Sequence, residues 1–197
     1  HKRTPRKSTA GMLLCAVLSD TLNLMGPTTT EWDRTMVALL SKIAQVEDIA
    51  YLASQQFKAK SKELEGLTAR QLVNGDQKTF SFCTAGFDGV IGFAVIETTD
   101  DAVIMVRKDE LIESMVDIKR EKKLDILFLA VVNIVDLGSN LLLCGDVERN
   151  LAFESFEGEG YDHGAAEQTV LNLGTKVSRK KDFIPPITRC IKNGFSK

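Results

Sequence analysis

The spacing of hydrophobic and polar positions changes at about residue 58 of the chain. Before that point, the apolar run from Ser8 to Leu18 predicts a helix that is buried on most sides, and Gly26-Pro27 predicts a turn. The apolar positions that follow recur at helical spacing, which predicts a helix from about Thr30 to Ala44 and another from Val46 to Lys58. The inner face of the first of these two helices is predicted to carry Trp32, Met36, Leu39, Leu40 and Ile43.

Residues 58–66 form a polar connector, and runs of β-branched and aromatic residues separated by helical periods follow it. The predicted order is a helix at 67–73, strands at 78–84 and 90–98 joined as a hairpin-like pair, a helix at 101–122, strands at 124–132 and 140–144, an exposed acidic loop at 153–164, a strand ending at Val177, and a helix opened by Pro185-Pro186. Strands that alternate with helices, with one adjacent pair, predict an α/β fold with a mixed β-sheet flanked by helices.

The composition is that of a globular protein, with 44% hydrophobic and 26% charged residues. The formal net charge of -2 gives no general attraction to nucleic acid or anionic lipid, so neither is expected as a partner. No apolar stretch reaches the ~18 residues of a membrane helix. The four cysteines lie far apart, and three lie within apolar runs, so we expect buried thiols in a reducing, cytoplasmic location.

Asp20 follows the first apolar run and is flanked by the hydroxyl residues Ser19 and Thr21. A carboxylate there can be an oxygen ligand for a divalent metal ion, and it can also cap a helix or a turn, which is the commoner role. The residues alone leave both interpretations open. His163 lies beside Asp162 in the acidic loop, where exposure to solvent is the expectation.

Residues 178–181, Ser-Arg-Lys-Lys, concentrate cationic donors between a strand end and two prolines. Arg binds phosphate through paired hydrogen bonds and Lys supplies a compact charge, so the segment is a candidate anion site, although a solvated basic turn has the same composition. Lys58, Lys60 and Lys62 alternate in the connector, where they could meet an anionic substrate or keep a linker soluble. No nucleophile-elbow, phosphate-loop or dinucleotide motif occurs in the sequence.

The run from Thr9 to Asp33, which contains Ser19-Asp20-Thr21, resembles the last block of the DHH domain of family II pyrophosphatases. The resemblance implies that Asp20 ligates a catalytic metal ion, Mn²⁺ with Mg²⁺ or Co²⁺ as alternatives. From about Leu67 to the end, including Asp76-Gln77-Lys78 and residues 178–181, the chain looks like the DHH-associated C-terminal domain of that family. These matches imply three parts: residues 1–57 as a helical remnant of the DHH domain, 58–66 as an interdomain linker, and 67–197 as a substrate-binding domain.

In that family the Ser-Arg-Lys motif binds the phosphates of the substrate. The resemblance therefore implies that Arg179 and Lys180 are catalytic and substrate-binding residues, with Ser178 supporting them. The family's lysine after the linker has no match in Glu-Gly-Leu-Thr at residues 65–68, so it is either absent or displaced to Lys60 or Lys62, which become candidate substrate-binding residues.

The Asp-His-His motif and the other metal ligands of the family's N-terminal half have no counterpart in these residues. One aspartate cannot hold a cluster of divalent metal ions, so we expect little or no hydrolysis by the chain alone. The chain begins with His rather than Met, and we expect it to be a fragment that lacks an N-terminal DHH domain.

The implied activity of the whole protein is metal-dependent hydrolysis of a phosphoanhydride bond, from inorganic pyrophosphate to two phosphates. Two alternatives stay open: an exopolyphosphatase acting on short-chain polyphosphate, and a prune-like interaction protein that does not depend on catalysis. The expected partners are pyrophosphate or polyphosphate and the N-terminal domain, and a homodimer is a further expectation.

Overall fold

The computed structural model describes residues 4–156 and 168–196, and the packing divides the chain into two compact units, His1–Lys62 and Glu63–Lys197. The division falls inside the predicted connector. His163 and most of the predicted acidic loop lie outside the described residues. The first unit is helical and the second contains a β-sheet, as the change in hydrophobic spacing predicts.

The first unit is built from α1 (Lys7–Asp20), α2 (Glu31–Ala44) and most of α3 (Ile49–Glu65). Thr30 and Asp33 form a reciprocal capping box that begins α2. The Thr30 hydroxyl accepts a hydrogen bond from the Asp33 N–H, and the Asp33 carboxylate accepts one from the Thr30 N–H at 2.8 Å. The hydroxyl and then the backbone N–H of Thr30 lower the pKa of the Asp33 carboxyl, because both donate to its charged form.

The predicted inner face of α2 is wrong at two of its largest members, because Trp32 and Leu39 are 70% and 51% exposed. The residues buried on α2 are Val37, Leu40, Ser41 and Ala44. A Cβ added to Gly11 of α1 would lie 4.0 Å from the Cβ of Ala44, so small residues let the two helices approach closely. This close packing, rather than the size of the apolar side chains, determines which face of α2 is buried.

Helix α3 begins and ends later than predicted. Asp48 accepts a hydrogen bond from the Tyr51 N–H at 2.8 Å, an N-capping contact that places the start of the helix at Ile49. Residues 58–65 continue the helix, because most of them are Lys, Ala, Glu and Leu, which have high helix propensity. The predicted connector is therefore helical up to Glu65, and its role as an interdomain linker stays a prediction.

The second unit is organised around a five-stranded sheet in the order β1-β2-β3-β4-β5. The strands are β1 (Gln77–Cys83), β2 (Asp88–Thr98), β3 (Ile126–Asn133), β4 (Gly138–Leu143) and β5 (Val170–Asn172). Strands β2 and β3 pair in parallel, and the other neighbours pair antiparallel. The predicted α/β class with a mixed sheet is confirmed, including the hairpin of β1 and β2.

The helices of the second unit are α4 (Ala69–Gly75), α5 (Asp101–Met105), α6 (Lys108–Glu121), α7 (Asp146–Ser155) and α8 (Ile184–Lys192). Helices α5 and α6 form the crossover that joins the parallel strands β2 and β3. All of β3 is buried, and α6 contributes Leu111, Met115 and Ile118 to the same core. Within residues 4–156 and 168–196, none of the helices has the length and apolar content needed to cross a membrane.

The single helix predicted at 101–122 is divided into α5 and α6. Arg107 lies at the break, where its guanidinium donates to the Leu67 carbonyl at 2.9 Å and pairs with Glu110. These contacts hold the chain in a non-helical conformation between the two helices. The apolar residues keep their helical spacing across this break, so the spacing alone does not reveal it.

Two further differences lie near the C-terminus. Residues 153–155, which were predicted to begin the acidic loop, form the last turn of α7. The final strand, β5, ends at Asn172 and not at Val177, because Gly174 adopts a left-handed φ of 57° that ends the extended conformation.

Candidate functional site

The basic segment at residues 178–181 forms the start of a π-helical turn, Arg179–Phe183, that leads into α8. Asp182 fixes the turn from within, because its carboxylate accepts hydrogen bonds from the N–H groups of Val177 at 3.0 Å and Ser178 at 2.8 Å. The Ser178 hydroxyl accepts a further bond from the Lys181 N–H at 3.3 Å. Ser178 is therefore the residue that caps the turn, and π-helical turns are frequent at functional sites.

Phe183 attaches the π-helical turn to the sheet. Its side chain is fully buried, and its ring stacks on that of Phe93 in β2 with a centroid distance of 5.3 Å. Phe93 in turn contacts Phe128 of β3 at 5.8 Å. The backbone that carries Arg179 and Lys180 is thus tied to the centre of the sheet rather than to a free loop.

Arg179 reaches from the turn to the start of β1. Its Nη1 donates to the Asp76 carbonyl at 2.7 Å and, at 3.4 Å, to the Phe93 carbonyl. Its Nη2 donates to the Asp76 carboxylate at 2.8 Å, which makes an ion pair. The Arg179 side chain is only 13% exposed, so the guanidinium is held in one place while still bordering the pocket described next.

A pocket of about 210 Å³ lies between β1 and the π-helical turn. Its walls are Lys78, Phe80, Arg179, Lys180 and Ile184. Lys78 and Phe80 are two residues apart on β1 and so project from the same face of the strand. Lys78 and Lys180 are exposed and form no ion pair with any residue in the described ranges. Three of the five lining residues are therefore cations, and two of them lack an acidic partner in the described ranges, so the pocket carries positive charge.

The structure thus brings together the predicted residues Ser178, Arg179 and Lys180. It adds Lys78 and Asp76, which the sequence indicated only as part of a resemblance and not as site residues. The feature of the sequence that could have indicated them is their position just before and within the first strand, because binding residues often lie on loops and at the ends of elements next to them. What the sequence could not provide is the pairing of that strand end with a turn 103 residues away.

Asp20 is the last residue of α1 and is exposed. It is not the cap of the next helix, because Thr30 caps α2. The Thr21 hydroxyl closes the end of α1 by donating to the Val17 carbonyl at 2.7 Å and accepting from the Leu24 N–H at 3.1 Å. In the part of the chain that the structure describes, the Asp20 carboxylate has no hydrogen bond or ion pair, so it is available to a ligand.

The turn after Asp20 has an unusual backbone. Leu22, Asn23 and Leu24 follow one another with φ values of 49°, 54° and 65°, a left-handed conformation that costs energy for residues other than glycine. Gly26 closes this turn, and a Cβ added there would lie 3.0 Å from the Thr21 carbonyl oxygen. The chain directly after Asp20 is therefore a strained left-handed turn.

A divalent metal ion needs several oxygen or nitrogen ligands. The described residues contain no group of three or more His, Cys, Asp or Glu side chains that could hold one. Asp20 alone therefore does not fit a resident metal ion.

Lys60 and Lys62 lie on α3 in the first unit, where Lys60 is partly buried and Lys62 is exposed. Residues two apart on a helix project in directions about 200° apart, so the two side chains do not form one patch. At most one of them can face a given ligand from this helix.

Two of the four cysteines, Cys144 and Cys190, have thiols with a raised pKa. All four are free thiols; Cys83 is exposed and the other three are only partly buried, which corrects the expectation that they are buried. Burial raises the pKa of Cys144 to about 12, with the Glu148 carboxylate adding to the effect. Burial likewise raises the pKa of Cys190. Neither of these two thiols is a reactive thiolate near neutral pH.

The family model of the DHHA2 domain matches residues 54–190. A manganese-dependent inorganic pyrophosphatase of Methanothrix thermoacetophila is 32% identical over 188 residues, which cover 94% of this chain and 56% of that protein. A protein of Deinococcus radiodurans with the same name, qualified as probable, is 37% identical over 180 residues, 91% of this chain and 55% of its own length. The chain thus spans about half the length of the curated relatives it matches.

A solved structure agrees with these relatives. The crystal structure of a Methanococcus jannaschii protein assigned to the family II inorganic pyrophosphatases matches with a TM-score of 0.82 and 26% identity, covering 98% of this chain and 58% of that one. The chain therefore belongs to the DHHA2 domain family, and its predicted likeness to family II pyrophosphatases of the DHH type is confirmed over nearly its whole length.

Proposed function

We propose that this chain binds the phosphates of inorganic pyrophosphate in the pocket between β1 and the π-helical turn, and that the whole protein hydrolyses pyrophosphate to two phosphates. The observation that carries the proposal is the convergence of Lys78, Arg179 and Lys180 on one small pocket. Like charges that converge repel one another, and a polyanion between them relieves that repulsion. The names of the relatives point to pyrophosphate as this anion.

Each residue has a distinct part in the proposal. Arg179 offers phosphate a planar pair of N–H donors, and Lys78 and Lys180 supply compact charges on either side. Ser178 holds the turn that carries two of these cations. Together they offset negative charge on the phosphates as the bond between them breaks, which is the main contribution that protein groups make to phosphoryl transfer.

Lys78 provides a third cation, the role for which Lys60 and Lys62 were candidates. The proposal therefore rests on Lys78, and it retains Lys60 and Lys62 as secondary candidates of which one at most faces the substrate. Lys78→Ala is expected to weaken pyrophosphate binding more than either Lys60→Ala or Lys62→Ala.

We also propose that the activity requires Mn²⁺, with Mg²⁺ and Co²⁺ as alternatives, and that Asp20 is one ligand. The other ligands would have to come from outside the described residues, because these contain no group of three or more side chains that could hold a metal ion. The chain alone is therefore expected to bind pyrophosphate without hydrolysing it. We place the activity in the cytoplasm, because all four cysteines are free thiols.

The test compares the 197-residue chain with a fusion in which the unmatched part of the Deinococcus radiodurans relative is joined to it. Phosphate release is measured with Mn²⁺ from pyrophosphate and from long-chain polyphosphate. The fusion is expected to release phosphate from pyrophosphate and the chain alone to release none. Arg179→Ala is expected to lower the rate of the fusion about 100-fold, a typical loss for one charge-stabilising donor.

Arg120→Ala is the matched control, since Arg120 is an exposed arginine of α6 and should leave the rate unchanged. A preference for polyphosphate would instead identify an exopolyphosphatase. Turnover of neither compound by an intact, folded fusion would reject the hydrolase and favour a non-catalytic interaction protein.

A further inference from the structure

The Arg179–Asp76 contact has a geometry that leaves one edge of the guanidinium unused. Asp76 receives hydrogen bonds from Nη1, through its carbonyl, and from Nη2, through its carboxylate. In the described part of the chain, Nε forms no hydrogen bond. The edge made by Nε and the second Nη2 hydrogen is therefore open, and this edge presents two parallel donors, the arrangement that phosphate oxygens accept in pairs.

The two partners of this contact differ in their exposure to solvent. Arg179 is 13% exposed, whereas Asp76 is 55% exposed, so the carboxylate lies near solvent while it orients a guanidinium that is nearly enclosed. The same short segment supplies Lys78, two residues further along, to the wall of the pocket. The start of β1 thus places both a cation and the acceptor that orients another cation beside the ligand.

We infer that Asp76 is a positioning residue: it fixes the Arg179 guanidinium so that its open edge faces a phosphate group of the ligand. The inference rests on the proposed function, because it takes phosphate as the ligand of this pocket. Asp76 acts through Arg179 and does not itself contact the substrate. A long arginine side chain that is already ordered loses less conformational entropy when it binds, and this pre-organisation strengthens binding.

Two effects of Asp76 on an anion oppose each other. Its negative charge repels the phosphates, and its hydrogen bonds order the side chain that binds them. The carboxylate is more than half exposed, so solvent and salt screen the repulsion, with a Debye length of ~8 Å at physiological ionic strength. The direct contact between Arg179 and Asp76, at 2.8 Å, lies well within this length and is screened less than the longer-range repulsion. The positioning effect should therefore exceed the repulsion at 0.15 M salt or above, roughly the physiological ionic strength.

The experiment is a double-mutant cycle on pyrophosphate binding, measured by titration calorimetry of the 197-residue chain at about 0.15 M salt. The variants are Asp76→Ala, Arg179→Ala and the double variant. Asp76→Ala is expected to raise the Kd about tenfold in the wild-type background and less than about twofold when Arg179 is already alanine. Asp76→Asn, which keeps an acceptor oxygen but no charge, should fall between wild type and Asp76→Ala.

A second measurement follows the arginine directly. The side-chain Nε–H signal of Arg179 in a ¹⁵N-labelled chain should be distinct in the wild type and should merge with the signals of exposed arginines in Asp76→Ala. Asp117→Ala is the control, because Asp117 pairs with Arg120 on the exposed surface of α6. It removes the same charge and should change neither the Kd nor the Arg179 signal.

The outcomes separate this inference from the proposed function. Tighter binding by Asp76→Ala would mean that Asp76 acts only as a repelling charge, and an equal loss in both backgrounds would mean a general structural role; either result overturns the inference alone. An unchanged Arg179 signal in Asp76→Ala would also overturn it. Wild-type chain that does not bind pyrophosphate, or that binds it equally well with Arg179→Ala, would overturn the assignment of Arg179 to phosphate and the inference with it.

Discussion

The ring of Phe183 lies against the ring of Phe93, with centroids 5.3 Å apart and planes inclined by 19°. Phe183 belongs to the π-helical turn and Phe93 to the second strand of the sheet, so this stack joins the backbone of the candidate site to the core. Both side chains are fully buried. The position of Arg179 and Lys180 therefore depends on core packing as well as on local hydrogen bonds.

Replacement of Phe183 tests this dependence. Phe183→Ala should lower the free energy of unfolding by about 3–5 kcal/mol, because it removes a buried aromatic side chain and leaves a cavity. Denaturant unfolding measures the change. Trp32→Ala is the control, since Trp32 is 70% exposed and its loss should cost far less. A similar cost for the two variants would show that the stack does not anchor the turn.

Asp182 makes a second, local contribution to the same turn. Asp182→Ala leaves the N–H groups of Val177 and Ser178 without their acceptor, and it should destabilise the unit by about 1–2 kcal/mol, as the loss of a helix cap does. It should also weaken pyrophosphate binding, because Arg179 and Lys180 then project from a less ordered backbone. Thermal unfolding together with a pyrophosphate titration checks both effects. Unaltered affinity in a destabilised protein would separate the turn from the site.

The sheet of the second unit was predictable from sequence because its strands are short apolar runs between turn residues. Strand β3 is the clearest case, since residues 126–132 form a continuous apolar run, which is typical of a strand buried on both faces. The break between α5 and α6 was not predictable, because it depends on Arg107 binding the carbonyl of Leu67, which is distant in sequence. The exposed Trp32 was likewise mispredicted, because tertiary packing through small residues overrides side-chain size.

The candidate site was predictable only in part, because some of its residues come together through contacts that are distant in sequence. A run of basic residues indicates an anion site locally, so Arg179 and Lys180 stand out in the sequence. Lys78 is one lysine among many, and only the pairing of Asp76 with Arg179 places it at the pocket. Asp20 was open between two roles from its neighbours alone, and the described residues contain no group of three or more potential metal ligands that would decide between them.

The ion pair of the buried Glu148 with Lys119 gives a prediction about the stability of the fold, away from the candidate site. Glu148 is fully buried, and one of its oxygens accepts from the Lys119 ammonium at 2.6 Å and from the Leu127 N–H at 3.0 Å. Lys119→Met should destabilise the fold by about 3–5 kcal/mol, because it leaves a buried charge unpaired. Adding Glu148→Leu should recover part of that loss. Urea unfolding of the single and double variants measures this, and a double variant no more stable than Lys119→Met would contradict it.

The raised pKa of the Cys144 thiol predicts how the free energy of unfolding changes at alkaline pH. Burial raises the pKa of its thiol in the folded chain to about 12, above the ordinary value of 9.0, so the unfolded chain loses this proton first. The contribution of this group is therefore complete below pH 9 and is lost as the pH rises toward 12, with a slope of at most ~1.4 kcal/mol per pH unit. Cys144→Ala should show a flatter alkaline slope in denaturant unfolding. Equal slopes in the two proteins would contradict the raised pKa.

A titration of the ¹⁵N-labelled chain with pyrophosphate tests whether Lys78, Arg179 and Lys180 form one phosphate-binding pocket. If they do, the backbone amide signals should show saturable shifts that concentrate at residues 78–80 and 178–184 and are lost in Arg179→Ala. An equal titration with sodium chloride controls for ionic strength. Shifts that do not saturate, or that concentrate instead at the basic end of α6 near Lys119 and Arg120, would show that this pocket is not the phosphate site.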